Sequence, residues 1–289
     1  MIRGMYSSIS GLKAHQTMLD VTANNLANVN TVGYKAARTT FADSLSQQVR
    51  GASGGTADTG GTNATQVGLG VKVGSIDNLT GGSSPQMTGN PLDVAIQGEG
   101  WFTVARGTPG GPAPAAGTWE YTRAGALTVT EQGHLVTQDG LYVMAYPPAA
   151  GGGPDSAAAP SYLTLPAGAS DVAIGADGAV SYVDHSGGPL DGTRQTAGYL
   201  TISRFANQAG LERGGSSRWV ATANSGAPIA GTPGTTGNGP LMAGALEMSN
   251  VDLASEFTTM ISAQRGFQAN SRVITVADEM LQDVVNMKR

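Results

Sequence analysis

The sequence predicts an α+β fold: long N- and C-terminal α-helices paired as a coiled-coil-like domain, with a β-rich, mainly antiparallel middle domain. Apolar residues recur at heptad spacing at both ends of the chain. Glycine accounts for 43 of 289 residues, roughly twice the usual share, which favours turns and strands between those ends. From Val67 onward, short apolar runs are separated by Gly, Asp and Asn, the pattern of strands and hairpins.

At the N-terminus, Met5, Leu12, Leu19 and Leu26 form one row, and Ile2, Ile9, Gln16 and Ala23 a second beside it. Together they make one apolar stripe and predict a helix from Ile2 to Asn28, with Gly33 as its stop. A second, weaker helical stretch is expected over 34–49, where Phe41 and Leu45 stand four apart. Residues 51–65, rich in Gly, Ala, Thr and Ser, have too little apolar surface to pack and read as a flexible or extended linker.

In the middle, 94–96 and 101–104 flank Gln97-Gly98-Glu99-Gly100, 126–130 and 134–137 flank Glu131-Gln132-Gly133, and 172–174 and 179–183 flank Gly175-Ala176-Asp177-Gly178. Each set is expected to form a hairpin. Residues 199–205 and 219–222 are further strands, whereas 107–117, 147–160 and 224–239 are Pro- and Gly-rich loops. The C-terminal helix is expected from Leu253 to Val285, with Asn250 or Ser249 as N-cap and Glu256 in its early turns. Leu253, Met260, Phe267, Ile274 and Leu281 form its apolar row, beside Phe257, Gln264, Ser271, Asp278 and Val285. Such a helix is about 50 Å long, more than its own domain can cover, so part of it needs another surface. The domain plan is 1–33 with 246–289 as the helical domain, 34–66 as a linker carrying the short helix, and 67–245 as the β-rich domain.

Composition excludes several function classes. A net charge of −5 gives no field that attracts nucleic acid. Absence of cysteine removes disulfides and thiolate metal sites. No run approaches the ~18 apolar residues of a membrane span, and 1–20 lacks the apolar core and cleavage site of a signal peptide, so no membrane insertion is expected.

Candidate chemistry is sparse. His15, His134 and His185 have no ligand spacing, so no metal or cofactor is expected. Asp184-His185-Ser186 contains triad residue types, but adjacent residues point in different directions and no G-x-S-x-G elbow is present. Gly68-Leu69-Gly70 and Gly98-Glu99-Gly100 do not extend to a dinucleotide fingerprint. For a carbohydrate-active or binding β domain, Asp93, Glu99, Glu120, Glu131 and Asp139 offer no recognisable catalytic pair. No catalytic residue is assigned.

Two features keep two readings each. The run Asn24-Asn25-Leu26-Ala27-Asn28-Val29-Asn30 is either a helix end or a set of amides pairing with neighbouring backbone. The stripes either pair within one subunit or extend to other subunits. On the second reading the assembly surface is Met5, Ile9, Leu12, Leu19, Leu26, Leu253, Phe257, Met260, Phe267, Ile274 and Leu281.

The segment 23–35, containing Asn24, Asn25, Asn28, Asn30, Gly33, Tyr34 and Lys35, resembles the signature of the bacterial flagellar rod and hook family of axial proteins. Residues 66–71, 92–102, Tyr121-Thr122-Arg123 with Gly125, 246–253 and 263–271 resemble further blocks of that family. The ending Arg265-Gly266-Phe267-Gln268-Ala269-Asn270, with 284–289, is most similar to hook proteins, although the chain is short for one. The resemblance implies a flagellar hook subunit: exported without a cleaved signal peptide, unfolded, through the flagellar export apparatus, and polymerised under a hook cap into a curved tube. This extracellular tube acts as a universal joint, contacts rod and hook-filament junction proteins, and has the terminal helices as its inner wall. Sliding between subunits in that joint is expected to use the 51–65 linker. The alternative that the resemblance implies is a distal rod subunit, a rigid drive shaft.

Overall fold

The computed structural model describes residues 2–55, 60–108, 114–149, 153–155, 158–166, 168–185, 192–235 and 237–287. Parts of the expected linker and loops (56–59, 109–113, 150–152, 156–157 and 236), as well as Ser186 and the closing 288–289, lie outside the described residues. The chain divides into two compact units, Met1–Ala27 with Ala37–Leu79 and Val251–Arg289, and Asn28–Ala36 with Thr80–Asn250.

The first unit contains α1 (Ile2–Ala27), β1 (Ala37–Asp43), β2 (Ser46–Arg50), β3 (Thr65–Gly68), β4 (Val71–Asn78) and α2 (Leu253–Asn286). Both terminal helices form where the heptads predict them. The N-cap of α2 is Asp252 rather than Asn250 or Ser249: its carboxylate accepts the Ala254 N–H at 3.0 Å. Asn250 instead accepts the Ala36 N–H at 2.7 Å.

The helix expected over 34–49 is absent; that segment forms β1 and β2. β1 pairs antiparallel with β4 from Ala37↔Asn78 to Asp43↔Val71, with Gly74 as the extra residue of a bulge opposite Thr40 and Phe41. Two apolar residues four apart are a thin helical signal, and the threonines of β1 suit a pleated ladder. Phe41 lies edge-on to the His15 ring of α1, with centroids 5.7 Å apart. The Ser10 hydroxyl of α1 accepts the Val71 N–H at 3.2 Å.

The segment 51–65, read as a flexible or extended linker, is exposed over its described part and lies at the open end of a β-ribbon. β2 and β3 pair from Ser46↔Gly68 to Arg50↔Thr65, and a further bridge joins Ser53 to Thr62, whose hydroxyls are 2.8 Å apart. Every residue of β2 and β3 is exposed.

The second unit is built from strands. They are β5 (Pro85–Met87), β6 (Val94–Ile96), β7 (Trp101–Ala105), β8 (Trp119–Thr122), β9 (Leu127–Val129), β10 (Leu135–Thr137) and β11 (Tyr142–Tyr146). There follow β12 (Ser161–Tyr162), β13 (Ala169–Ile174), β14 (Ala179–Asp184), β15 (Arg194–Leu200) and β16 (Ile202–Arg204). The last are β17 (Glu212–Gly215), β18 (Arg218–Val220), β19 (Ile229–Gly231), β20 (Leu241–Ala243) and β21 (Ala245–Glu247).

The main sheet of this unit runs β13-β14-β15-β11-β7-β8-β18-β17, with β9, β10, β12, β16 and β19 joined alongside. Strand β7 is buried on both faces. Phe102 and Val104 enter a core with Leu127, Leu135, Val143, Val180 and Leu200, while Trp101 and Ala105 enter a second core with Tyr121, Phe205, Leu211 and Trp219. Alternation along one strand thus feeds two cores.

The expected hairpins at 126–137 and 172–183 form as β9–β10 and β13–β14. The one expected around Gln97–Gly100 does not. β6 pairs with β20, and β7 pairs with β8, β11 and β16. Gly98 and Gly100, at φ +113° and +130°, carry the chain from one sheet to another instead of reversing it.

The β17–β18 turn places Ser216 and Ser217 at φ +49° and +55°, a conformation that disfavours L side chains and that Asn-Gly adopts readily. The Ser216→Asn, Ser217→Gly double variant is expected to gain about 1 kcal/mol of stability, read as a raised urea midpoint. An unchanged or lowered midpoint contradicts the assigned turn.

Candidate functional site

In the first unit, α1 and α2 meet through small residues. Ser8, Gly11, Ala14, Thr22 and Asn25 are buried on α1, and Ala263 and Ala277 on α2. A Cβ added to Gly11 would lie 2.6 Å from Asn270 Nδ2, and one added to Gly266 would lie 2.5 Å from the His15 ring. Each glycine is the hole into which a side chain of the other helix fits, so the axes approach closely.

The heptad residues flank this seam. Met5, Leu12, Leu19, Leu26, Met260, Ile274 and Leu281 are half-buried, whereas Ile9, Leu253, Phe257 and Phe267 are exposed. A strict seven-residue repeat drifts around a straight helix, which spreads the row from seam to surface. A further apolar strip that the heptads missed follows on α2: Val273, Val276, Met280 and Val284, spaced three or four apart and 45–55% exposed. Val273, Val276 and Met280 line a cleft of about 360 Å³ with Gly4, Met5, Arg272 and Ala277. Helix α2 has 34 residues against 26 in α1. The signal for the seam lay in the spacing of Ser8, Gly11 and Ala14, which an apolar count skips.

The Asn-rich run resolves residue by residue. Asn25 is buried, and its amide accepts the Ala37 N–H at 3.0 Å and donates to the Ala37 carbonyl at 2.7 Å, acting as a one-residue strand partner. It also donates to Glu256 Oε1 at 3.0 Å. Burial pushes the Glu256 carboxyl above its ordinary value, against that hydrogen bond, and Asp252 adds to the rise. Asn28 Oδ1 accepts the Thr31 hydroxyl at 3.1 Å, Asn24 and Asn30 are exposed, and the turn they lead into ends at Gly33.

Gly33, Tyr34 and Lys35 belong to the second unit, where the sequence blocks converge on one buried carboxylate. Glu247 receives Lys35 Nζ at 2.6 Å on one oxygen and the Arg123 guanidinium at 3.1 Å on the other; these side chains are at most 2% exposed. Lys35 also donates to the Gly81 carbonyl at 2.8 Å, and the Ser83 N–H to Glu247 at 3.2 Å. The Gly33 N–H donates to the Glu247 backbone carbonyl at 2.8 Å. Gly33 itself sits at φ +67°, with Ala124 N 2.6 Å from where a Cβ would be, so both backbone angle and space demand glycine. Arg213 lies 5.0 Å from the Tyr34 ring and 5.1 Å from that of Trp219, and donates to the Lys35 carbonyl. Burial pulls Lys35 below its ordinary value while Glu247 holds it up.

Other candidate groups have structural partners. Asp93 accepts from Thr88 at 2.7 Å and Asn90 at 3.2 Å, and Glu120 pairs with Arg106 at 3.1 Å and Arg218 at 2.6 Å. His185 Nδ1 lies 2.9 Å from the Ser170 hydroxyl. Among the described residues no group of three His, Cys, Asp or Glu side chains converges to hold a metal, and no helix is long and apolar enough to cross a membrane.

Three expectations follow. Gly11→Ala and Gly266→Ala each cost about 1–3 kcal/mol by overpacking the seam; helical ellipticity melting at the parent temperature contradicts the interlock. Glu247→Ala leaves two buried cations without their anion and costs about 3–5 kcal/mol. Lys35→Met retains the Glu247–Arg123 pair and costs less; the reverse order in urea melts removes Glu247 from the centre of the cluster. For Glu256, the folded chain keeps a proton that the unfolded chain has already lost over the range just above the ordinary 4.5. Stability therefore falls as pH rises through that range, and Glu256→Gln is expected to flatten the decline in a pH series of urea midpoints.

Three family models match the chain: flagella basal body rod protein over 5–35, the flagellar hook protein FlgE/F/G D1 domain over 95–182, and flagellar basal body rod FlgEFG protein C-terminal over 242–287. The flagellar basal-body rod protein FlgG of Bacillus subtilis (strain 168) is 47% identical over 290 residues, covering 100% of both chains. That of Caulobacter vibrioides is 37% identical over 285 residues, covering 97% of each. The flagellar hook protein FlgE of Borreliella burgdorferi is 26% identical over a 450-residue alignment. This overturns the hook expectation, which leaned on 265–270. In that run Gly266 packs against the His15 ring, where a Cβ would lie 2.5 Å from it. By its identity across the full length of these relatives, the chain belongs to the flagellar basal-body rod and hook family.

Proposed function

We propose that this chain is a subunit of the distal flagellar rod, polymerising into a straight helical tube that serves as a rigid drive shaft. The observation that carries the reading is the 47% identity to a basal-body rod protein with full coverage of both chains. The β2–β3 ribbon supports it: strands flank the segment that a bending joint was expected to use, and within that segment Ser53 and Thr62 are bridged.

In this reading the helical unit forms the inner wall. The strip of Val273, Val276, Met280 and Val284, with Ile9, Leu253, Phe257 and Phe267, is buried against neighbouring copies, since contiguous exposed apolar surface marks sites of association. Met5, Leu12, Leu19, Leu26, Met260, Ile274 and Leu281 contribute to both the seam and the wall. Such contacts between unlike patches do not close on themselves and so generate a filament. The partners are other copies, adjoining axial proteins and the flagellar export apparatus, which passes the chain unfolded to the outside of the cell. Its role is mechanical, with no catalytic step.

Purified protein induced to polymerise is expected to give straight tubes by electron microscopy; regularly curved tubes would sink the rod assignment. Val276→Asp or Met280→Asp is expected to abolish tubes while circular dichroism and melting stay near the parent. Normal tubes from both would remove the strip from the interface.

A further inference from the structure

The chain contains one Asn-Gly sequence, Asn238-Gly239. In such a pair the glycine nitrogen can lose its proton and bond the asparagine side-chain carbon, expelling ammonia as the cyclic imide forms. Water then opens the ring to aspartate or to the β-linked isoaspartate. Glycine favours ring closure because it lacks a Cβ and its backbone turns freely.

The fold opposes each requirement. Asn238 is 6% exposed, and its amide donates toward the Ile202 and Thr232 carbonyls at 3.3 and 3.5 Å. Its backbone N–H donates to the Thr235 carbonyl at 2.8 Å. The attacking nitrogen, that of Gly239, donates its proton to the Glu99 carbonyl at 2.9 Å. The Gly239 backbone is packed so closely on Gln97 that a Cβ would lie 2.0 Å from the Gln97 carbonyl oxygen. Nucleophile, electrophile and connecting backbone are all held.

We propose that Asn238 is a fold-gated deamidation site: an unfolded chain converts there, a folded chain does not, and a converted chain cannot rebuild this region. Conversion replaces an amide that donates to two carbonyls with a buried carboxylate facing them, which is costly. The isoaspartate also lengthens the main chain by one carbon between Asn238 and the Gly239 nitrogen, so the Glu99 hydrogen bond and the Gln97 contact cannot both be kept. The reaction limits how long a chain can wait unfolded and still fold. It is independent of the rod assignment.

The test incubates the full chain in mildly alkaline buffer, folded or held unfolded in urea, and follows position 238 by peptide mass mapping and isoaspartate labelling. Conversion in the folded protein is expected to be about a hundredfold slower, because it must wait for local opening. Equal rates would overturn the gating. Urea-aged chains are then returned to buffer and the soluble, cooperatively melting fraction is mapped. That fraction is expected to retain Asn238, and full recovery of converted chains would overturn the claim that conversion blocks refolding.

Discussion

The second unit depends on one carboxylate. Glu247 sits near the end of the β-rich segment, Lys35 lies more than two hundred positions earlier, and Arg123 comes from between them. A buried carboxylate with two oxygens can satisfy both cations only if all three backbones are placed together, so the interaction ties three distant segments to one another. Buried ion groups are costly to desolvate and far costlier to leave half-paired. The surrounding hydrogen bonds, from Gly33 to the Glu247 carbonyl and from Lys35 to Gly81, extend the placement from side chain to main chain.

The helical unit is organised by the opposite chemistry. Its buried positions are mostly glycine, alanine, serine and threonine, with Asn25 bonded to Glu256 and with His15 and Asn270 inserted where the other helix has glycine. Bulky apolar residues are displaced to the flanks and outer surface. Close approach at the seam and apolar exposure beside it are therefore two results of one residue arrangement.

Much of this was legible in the chain. Both terminal helices, the α+β class and two of the three hairpins follow from periodicity and turn residues. What failed did so for identifiable reasons. Residues 34–49 carry a weak helical pattern that pairing with β4 overrides. Gln97–Gly100 looks like a hairpin turn locally, but the partner of β6 is β20, some 145 positions away, and no local signal encodes that. The ion cluster was visible only as separate motif blocks, since nothing in Lys35 or Arg123 alone names Glu247. The seam was missed because small residues carry no hydrophobic signal.

The two interlocks and the Asn25–Glu256 hydrogen bond share one register. Moving from Gly11 to His15 on α1 advances four positions, and their counterparts on α2, Asn270 and Gly266, step back four; from there to Asn25 and Glu256 both change by ten. The antiparallel match thus holds across fourteen residues, about 21 Å of axis. A shift of one residue would move Asn270 and His15 away from the gaps at Gly11 and Gly266. Helices paired out of step would lose both interlocks and the Asn25–Glu256 bond together, so the register is selected as a unit.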